Sequence, residues 1–427
     1  MKPFETILIL AGGDSSRFWP LSDKNLIKFF DKPLIFYLIE KINKFGKKLI
    51  VVLNEENKKN FLFWQKKITL PKIKVVAQQK NLTGMAGAIL SAKEEVVAGS
   101  LLVLNGSDVF EFLVIDHLRK KINKEFSVAL LAKKMTDYFP GGYLQFSKNG
   151  QLKGLIEKPD SQNLPSSYVR LVADSFFDSR LLIKILINRY KGEDDDYEKT
   201  ISNLLKKNRG DFYEYLGEWH CLKYPWHVLS MMKYFLSAEI KKNLIDSSVS
   251  ISKKAVIIPP VFLDAEVKIG DFAKVVGPTY IGKGTKVGDH TLIYQSHIGN
   301  YCLIGGYSEV TRSYLGDRVF LHRNYVGDSV FDDDVFIGAG AVTANVRFDS
   351  QLVMSMINQK KMRTNRLKLG AIIGKRSKVG VNATLLPGVK IGQETLIGPG
   401  QIVSNDIPER KFFFKNRLVN NFLNKKE

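Results

Sequence analysis

A histidine, a tyrosine and an asparagine stand close together in a stretch whose other positions are suited to building a scaffold. His322, Tyr325 and Asn345 lie in the segments 322–328 and 338–345. A neutral imidazole has a pKa of about 6.5 and can accept a proton near neutral pH. A phenol and an amide can orient a substrate by hydrogen bonding. These residue types predict an acid–base site.

The three residues interrupt a repeat of six residues. An apolar residue recurs at every sixth position in 251–293, and the step resumes, after one-residue adjustments, in 298–310 and 367–397, with glycine often following it. This period fits neither an α-helix nor an alternating strand, but it fits a coiled prism in which each short face turns one side chain inward. The repeat predicts a left-handed parallel β-helix over residues 248–410, followed by a basic tail at 411–427.

The six-residue step lapses between Arg347 and Arg366, so this stretch is predicted to leave the β-helix as a loop or arm. Basic residues cluster there: Lys360, Lys361, Arg363, Arg366 and, just beyond, Lys368. Loops on rigid scaffolds often carry function. The basic cluster is either a solvated surface or a clamp for phosphate groups.

The N-terminal part of the chain shows an α/β pattern. The apolar run 7–11 leads into a glycine turn and then a helix predicted from Pro33 to about Asn43. Further apolar runs at 50–53, 75–77 and 101–104 alternate with helical stretches, as a buried parallel sheet requires. We predict a Rossmann-like head domain at residues 1–230 and a linker helix at 231–247.

The glycine turn after the first strand is suited to binding phosphate. The pair Gly12–Gly13 allows backbone N–H groups to close on an anion, and Arg17 and Lys28 supply positive charge. Asp108 ends a later strand, where a carboxylate can bind Mg²⁺. Together they favour a nucleoside triphosphate as ligand.

The glycine turn and Asp108, together with the segments 79–88 and 157–159, resemble the motifs of the sugar-1-phosphate nucleotidylyltransferases. In that family a sugar 1-phosphate displaces pyrophosphate from a nucleoside triphosphate. The resemblance implies that Gly12, Gly13, Arg17 and Lys28 hold the triphosphate and that Asp108 binds Mg²⁺. It also implies that Gln79 and Gly84 face the base and that Gly142, Glu157 and Lys158 face the sugar phosphate.

Three positions of the head domain depart from that family pattern. Ser15 stands where the family has a third glycine, and Ile27 replaces the proline before Lys28. Cys221 stands where the family has a second metal-binding aspartate, and a neutral thiol is a poor ligand for Mg²⁺. These departures argue against efficient nucleotidyl transfer.

The segments 322–328 and 338–345 resemble the H-x-x-Y-x-G-D and G-A-G-x-x-T-x-N motifs of bifunctional glucosamine-1-phosphate acetyltransferase/uridylyltransferases, especially the archaeal-type members. The resemblance implies acetyl transfer from acetyl-CoA to the amine of an amino-sugar 1-phosphate, with His322 as general base, Tyr325 on the sugar phosphate and Asn345 orienting the substrate. It further implies a phosphate contact at Arg312, acetyl-CoA contacts at Ala339, Val381 and Ala383, and a homotrimer.

Composition narrows the classes of function. The two cysteines, Cys221 and Cys302, have no neighbouring cysteine or histidine at metal-ligand spacing, so neither a disulfide framework nor a zinc site is expected. The net charge of +21 comes largely from scattered lysines without interleaved aromatic residues, which favours a solvated surface over a nucleic-acid groove. With no leader-like or membrane-spanning segment, we expect a cytoplasmic protein without membrane insertion.

Three hypotheses remain. The first is a bifunctional nucleotide-sugar enzyme that N-acetylates an amino-sugar 1-phosphate and carries uridylyl transfer as a second activity. The second is a sugar-1-phosphate nucleotidylyltransferase, using UTP or dTTP, whose β-helix serves assembly or regulation. The third is a non-catalytic scaffold with a degenerate head domain, like the exchange-factor subunits of eukaryotic translation initiation. The set His322, Tyr325 and Asn345 favours the first.

Overall fold

The computed structural model describes residues 2–13, 15–207 and 209–420. The chain divides into a first unit, residues 1–14 and 34–220, and a second unit, residues 15–33 and 221–427. Parts of the predicted head domain, residues 1–230, therefore belong to the second unit. The segment 15–33, which carries Arg17 and Lys28, is part of the second unit.

Up to residue 221 the elements follow in this order: β1 (Phe4–Ala11), β2 (Lys28–Phe29), β3 (Lys32–Pro33), α1 (Leu34–Ile42), β4 (Gly46–Leu53), α2 (Glu55–Gln65), β5 (Ile73–Ala77), α3 (Gly84–Ser91), β6 (Leu101–Asn105), β7 (Asp108–Val109), α4 (Val114–Lys121), β8 (Phe126–Lys134), β9 (Gly142–Phe146), β10 (Leu152–Glu157), β11 (Tyr168–Phe176), α5 (Ser179–Arg189), α6 (Asp196–Lys207), β12 (Arg209–Glu214) and β13 (His220–Cys221). Short 3-10 turns occupy Ser16–Phe18 and Asn43–Phe45.

The first unit is built on one mixed sheet. Its strands lie in the order β10-β9-β11-β6-β1-β4-β5, with β8 paired to β11 and β12 paired to β8. The pairs β1–β4, β1–β6 and β4–β5 are parallel, whereas β11 runs antiparallel to β6. Ile7, Leu8 and Ile9 of β1 are at most 1 % exposed, because helices cover both faces of a parallel sheet. The predicted α/β class is confirmed.

The second unit continues with α7 (His227–Glu239), β14 (Leu244–Ile245), β15 (Ser250–Ile251), β16 (Val256–Ile258), β17 (Val261–Leu263), β18 (Lys268–Ile269), β19 (Lys274–Val276), β20 (Thr279–Ile281), β21 (Lys286–Val287), β22 (Leu292–Tyr294), β23 (His297–Ile298), β24 (Leu303–Ile304), β25 (Glu309–Thr311), β26 (Tyr314–Leu315), β27 (Phe320–Leu321), β28 (Tyr325–Gly327), β29 (Val330–Phe331), β30 (Phe336–Ile337), β31 (Val342–Thr343), β32 (Met354–Ile357), β33 (Lys360–Arg363), β34 (Ile372–Ile373), β35 (Lys378–Val379), β36 (Thr384–Leu385), β37 (Lys390–Ile391), β38 (Leu396–Ile397), β39 (Ile402–Val403), β40 (Lys411–Phe414) and β41 (Arg417–Asn420).

These short strands form a parallel β-helix with three faces. Successive coils pair in register, for example Ile293 with Val310 and Val310 with Val326. Most of the predicted sixth-position residues line one continuous core and are almost fully buried. Ile251 and Ile257 are only partly buried, and Leu367 is 60% exposed and lies outside the core. The stretch 354–363 leaves the helix as the antiparallel hairpin β32–β33. Instead of a separate basic tail, 411–420 forms β40 and β41, and the rest of the predicted tail lies outside the described residues.

Close stacking of the coils explains the repeated glycines. A Cβ atom at Gly305 would lie 1.9 Å from the carbonyl oxygen of His322 on the next coil. Backbone atoms cannot move aside far enough to make room for a Cβ atom at this distance. Only glycine therefore allows the two coils to stack at this corner.

The segment 15–33 packs on the β-helix and on α7 through aromatic side chains. Phe29 is fully buried and stacks on Phe235, with ring centroids 4.7 Å apart. Phe30 meets Tyr280 edge-on at 5.1 Å, and its backbone N–H donates to Nε2 of His297 at 2.9 Å. The segment is thus an integral part of the second unit. No helix in the described part of the chain combines the length and apolarity needed to cross a bilayer.

Two histidines, the buried His297 and the half-buried His227, predict that the second unit loses stability in acid. Burial lowers the pKa of both His227 and His297 to about 4, whereas an unfolded histidine titrates near a pKa of about 6.5. Below pH 6.5 the unfolded chain therefore binds protons that the folded chain does not, and the free energy of unfolding falls as the pH drops toward 4. We expect a loss of up to about 3 kcal/mol per histidine, since one pKa unit corresponds to about 1.4 kcal/mol.

Urea unfolding between pH 7 and pH 4.5 measures this dependence. His297→Gln should flatten the pH slope, while the same change at the exposed His290 should leave it as in the wild type. Equal slopes in all three proteins would contradict the assignment.

Candidate functional site

His322 lies exposed at the corner between β27 and β28. The corner is held by Asn324, which is 4 % exposed. Its Oδ1 accepts the backbone N–H of His322 at 2.8 Å, and its Nδ2 donates to the carbonyls of Gly338 at 2.7 Å and Ala341 at 3.0 Å on the next coil. Because Asn324 satisfies backbone groups on both coils, it fixes the direction in which His322 leaves the corner. Sequence reasoning gave Asn324 no role.

The predicted acetyl-CoA contacts lie on the same column of stacked corners, but only two of them face outward. The backbone N–H of Asn382 donates to the carbonyl of Ala339 at 2.9 Å, which joins two successive corners. Ala339 is half-buried and Val381 is 47 % exposed. Ala383 is fully buried in the core, so a ligand contact of its methyl group is excluded. Its side chain faces inward and packs among the core residues of the β-helix, although it is not one of the sixth-position residues.

Four polar side chains converge at the opposite end of the face formed by β28 and β31. The Asp328 carboxylate accepts from Nε of Arg312 at 2.9 Å and from its Nη2 at 2.8 Å. Nδ2 of Asn345 donates to Asp328 Oδ2 at 2.7 Å and to Tyr325 Oη at 3.2 Å. This set, Arg312, Tyr325, Asp328 and Asn345, is called the Asp328 network below. It joins three predicted site residues through an aspartate whose only sequence signal was its place in H-x-x-Y-x-G-D.

His322 is not hydrogen-bonded to the Asp328 network. Within the described residues, its imidazole has no hydrogen-bond partner. The strand β28, which separates the two corners, has three residues and spans about 10 Å. One narrow face thus carries a group that can accept a proton at one end and groups that can bind an anion and an amine at the other.

The interruption of the repeat is the hairpin β32–β33, whose basic residues divide into two groups. Lys360, Lys361 and Arg363 are exposed. Arg366 is half-buried, and its Nη1 donates to Oγ of Ser230 at 3.2 Å. Burial lowers the pKa of Arg366. Lys368 is exposed as well, so the predicted choice between a solvated surface and a phosphate clamp concerns four exposed residues.

In the first unit, the predicted nucleotide contacts surround a glutamine that the sequence did not single out. A Cβ atom at Gly12 would lie 2.2 Å from Oε1 of Gln78, whereas one at Gly13 would meet nothing within 4 Å. Nε2 of Gln78 donates to the carbonyls of Leu82 at 2.7 Å and Gly84 at 3.2 Å. Gln78 therefore braces the loop before α3, and the neighbouring Gln79 is left exposed.

The predicted sugar-phosphate residues of the first unit also lie together. Gly142 pairs with Glu157 across β9 and β10, and a Cβ atom at Gly142 would lie 3.2 Å from Glu157 Oε2. The glycine thus gives room to the carboxylate. Lys158 lies 3.6 Å from Glu157 and also forms an ion pair with Asp194.

A buried arginine, Arg170, lies close to Gly142. Arg170 of β11 is 5 % exposed and forms ion pairs with Asp174, at 3.0 Å, and with Glu198. Its Nε lies 3.5 Å from the position of a Cβ at Gly142. Burial raises the pKa of Glu198 to about 7. Sequence reasoning missed Arg170, although an arginine between Val169 and Leu171 in a buried strand was a signal for a paired charge.

Lys28, predicted to hold the triphosphate, is paired with carboxylates of the β-helix. Its ammonium forms an ion pair with Asp317 and lies 4.0 Å from Asp333. Although burial lowers the pKa of Lys28, the charges of Asp333 and Asp317 outweigh this effect and raise the pKa above its usual range. Arg17 is half-buried in the same segment.

The residues present do not fit a dedicated Mg²⁺ site. Asp108 is 3 % exposed, and its Oδ1 already accepts from Nδ2 of Asn105 at 2.8 Å. The second family position holds Cys221, and thiols do not replace the hard oxygen donors that Mg²⁺ requires. Among the residues that the structure describes, no group of three or more His, Cys, Asp and Glu side chains could hold a metal ion.

Comparison with known proteins agrees with the two-part architecture. Residues 6–220 match the nucleotidyl transferase family model, and residues 240–331 match the model of the GMPPB C-terminal domain.

Relatives match along nearly the whole chain. The bifunctional protein GlmU of Methanococcus maripaludis strain C5 is 32% identical over 416 residues, covering 96% of this chain and 97% of the relative. The bifunctional sugar-1-phosphate nucleotidylyltransferase/acetyltransferase of Sulfurisphaera tokodaii is 32% identical over 429 residues, covering 97% of this chain and 100% of the relative. The chain is therefore a transferase that belongs to the family of bifunctional sugar-1-phosphate nucleotidylyltransferase/acetyltransferases.

Proposed function

We propose that the β-helix transfers the acetyl group of acetyl-CoA to the amine of an amino-sugar 1-phosphate, with glucosamine 1-phosphate as the substrate. The observation that carries the proposal is the arrangement of one face, with the exposed His322 at one corner and the Asp328 network at the other. The name of the Sulfurisphaera tokodaii relative includes acetyl transfer.

In this reaction the amine nitrogen attacks the thioester carbonyl, a C–N bond forms, and the C–S bond breaks to release the CoA thiol. His322 of one copy takes the proton that the amine loses from a substrate held by the Asp328 network of a neighbouring copy, and returns it to the departing sulfur. Arg312 binds the sugar phosphate, Tyr325 contacts the sugar phosphate, and Asn345 orients the substrate. Ala339 and Val381 border the pantetheine arm. The reaction needs no covalent enzyme intermediate.

The proposal includes a homotrimer with sites between subunits. An imidazole that acts as a base is usually oriented by a hydrogen bond to its second nitrogen. Because His322 has no such partner among the described residues of its own chain, a neighbouring copy is the natural source of one. Light scattering of the purified chain tests the trimer.

A second activity, uridylyl transfer to the sugar 1-phosphate by the first unit, is proposed from the match of residues 6–220 to the nucleotidyl transferase model. Its support is weaker, because Lys28 is already paired and Cys221 replaces a metal-binding carboxylate. No step through a metal ion is derived for it.

A paired assay on one preparation tests both activities. We expect release of CoA thiol from acetyl-CoA with glucosamine 1-phosphate, and slower release of pyrophosphate from UTP with a sugar 1-phosphate. Absence of thiol release with an active first unit would select a plain nucleotidylyltransferase, whose β-helix serves assembly.

A further inference from the structure

We propose that Asp328 is a positioning residue for acetyl transfer: its carboxylate fixes the amide of Asn345 so that the carbonyl oxygen of Asn345 accepts the amine of the sugar substrate. The inference rests on the proposed acetyl transfer and names a residue that acts through Asn345.

The carboxylate of Asp328 is built into the corner. Its side chain is 4 % exposed, and its backbone has a φ of 46°, in the left-handed region. A buried carboxylate is tolerated only when its oxygens receive hydrogen bonds or an ion pair. Asp328 receives three, two from Arg312 and one from Asn345. Both oxygens of the carboxylate are thus engaged, and the group is held in one orientation.

The orientation of the Asn345 amide follows from the chemistry of its partner. An ionised carboxylate only accepts hydrogen bonds, so the Asn345 atom 2.7 Å from Asp328 must be the NH₂ nitrogen. Its second hydrogen points to the Tyr325 oxygen at 3.2 Å. Both N–H groups are therefore used, and among the described residues no donor contacts the carbonyl oxygen. A substrate amine supplies the N–H that this oxygen accepts.

A glycine next to Asp328 makes room for the arrangement. A Cβ atom at Gly327 would lie 2.6 Å from Nδ2 of Asn345 and 2.7 Å from the Tyr325 oxygen. Any side chain at this position would displace the amide from Asp328. Gly327 thus provides the space for the amide of Asn345, and Asp328 sets the orientation of that amide.

The guanidinium of Arg312 keeps its capacity to bind phosphate. Arg312 uses Nε and Nη2 on Asp328, and an arginine has five N–H donors. The remaining three can face a substrate phosphate. Asp328 therefore aligns two substrate-binding side chains at once, one for the phosphate and one for the amine.

The substitution Asp328→Asn tests the role. An asparagine at 328 keeps the size but offers both a donor and an acceptor, so the amide of Asn345 loses its single orientation. We expect kcat/KM for glucosamine 1-phosphate to fall about tenfold to a hundredfold, the usual range for one charge-assisted hydrogen bond. The KM for acetyl-CoA should stay within about twofold, because its predicted contacts lie at the other corner. Asp328→Asn should have a smaller effect in an Asn345→Ala background.

Asp334→Asn is the matched control, since Asp334 also has a positive φ at a corner and pairs with an arginine, Arg318, at 2.9 Å, without an asparagine partner. Its acetyl transfer should equal that of the wild type. If Asp328→Asn proves unstable, Gly327→Ala displaces Asn345 without removing the charge and should show the same split between the two substrates. Calorimetric titration with glucosamine 1-phosphate gives a second readout, and each variant should bind more weakly than the wild type.

An active wild type whose Asp328→Asn variant keeps its kcat/KM would overturn the positioning role alone. An equal loss of kcat/KM for both substrates would also overturn this role, because it would indicate a general structural effect. Full additivity of the effects of Asp328→Asn and Asn345→Ala would overturn it for the same reason. A wild type without any acetyl transfer would overturn the proposed function as well, so the two failures are distinguishable.

Discussion

Replacing His322 with alanine is expected to lower kcat for acetyl transfer by at least about a hundredfold, because a positioned general base contributes roughly 10²–10⁴ in rate. The side chain is exposed, and the corner is held by Asn324, so the variant should fold normally. The KM for both substrates should change little, since the imidazole is assigned to proton transfer and not to binding. Thiol release from acetyl-CoA with glucosamine 1-phosphate measures the effect.

His290→Ala is the matched control for this experiment. His290 is also an exposed histidine on the β-helix, where it stacks between Phe272 and Tyr307 with ring centroids 4.9 and 4.8 Å away. Its removal should leave the rate unchanged. If His322→Ala keeps the wild-type rate, the base is another group and the proposed mechanism is wrong.

Removing the charge of Lys28 is expected to destabilise the second unit by about 3 kcal/mol, the lower end of the cost of breaking a buried ion pair. Lys28→Met would remove the cation that pairs with Asp317, whose side chain is only 14% exposed. Asp333 would keep its ion pairs with Arg318 and Lys375. A largely buried carboxylate that loses its partner keeps the cost of its desolvation. Urea unfolding of the full chain measures the loss.

The double variant Lys28→Met/Asp317→Asn should recover part of this stability, because it removes the carboxylate that lost its cation. Lys253→Met, which changes an exposed lysine of the same unit, should have little effect. Unaltered unfolding of Lys28→Met would show that the ion pair contributes nothing in solution. Calorimetric titration of the same variant with UTP decides whether Lys28 leaves its carboxylates to bind the triphosphate.

Much of the architecture was predictable because its pattern is local. An apolar residue at every sixth position specifies which side chains turn inward, and these residues form the continuous core of the β-helix. The buried parallel strands of the first unit were likewise evident from short continuous apolar runs. The motifs around His322 and Asn345 placed Tyr325 and Asn345 in one region, and the structure joins them with Arg312 in the Asp328 network.

The pairing of distant residues was decided only by the tertiary structure. Lys28 and Asp317 lie 289 positions apart, and no local period relates them. The burial of Ala383 and the buried pairing of Arg170 with Asp174 and Glu198 likewise depend on packing between elements.

The amino-acid sequence by itself determined the two folds, the family and most of the residues at the candidate site, because inward-facing periodicity and motif spacing are properties of neighbouring residues. The tertiary structure alone decided that the segment 15–33 joins the β-helix, that Lys28 is paired there, and that Asp328 orients Asn345. The physical reason is that hydrogen bonds and ion pairs depend on distances and directions between chain segments, and these are set only when the coils stack.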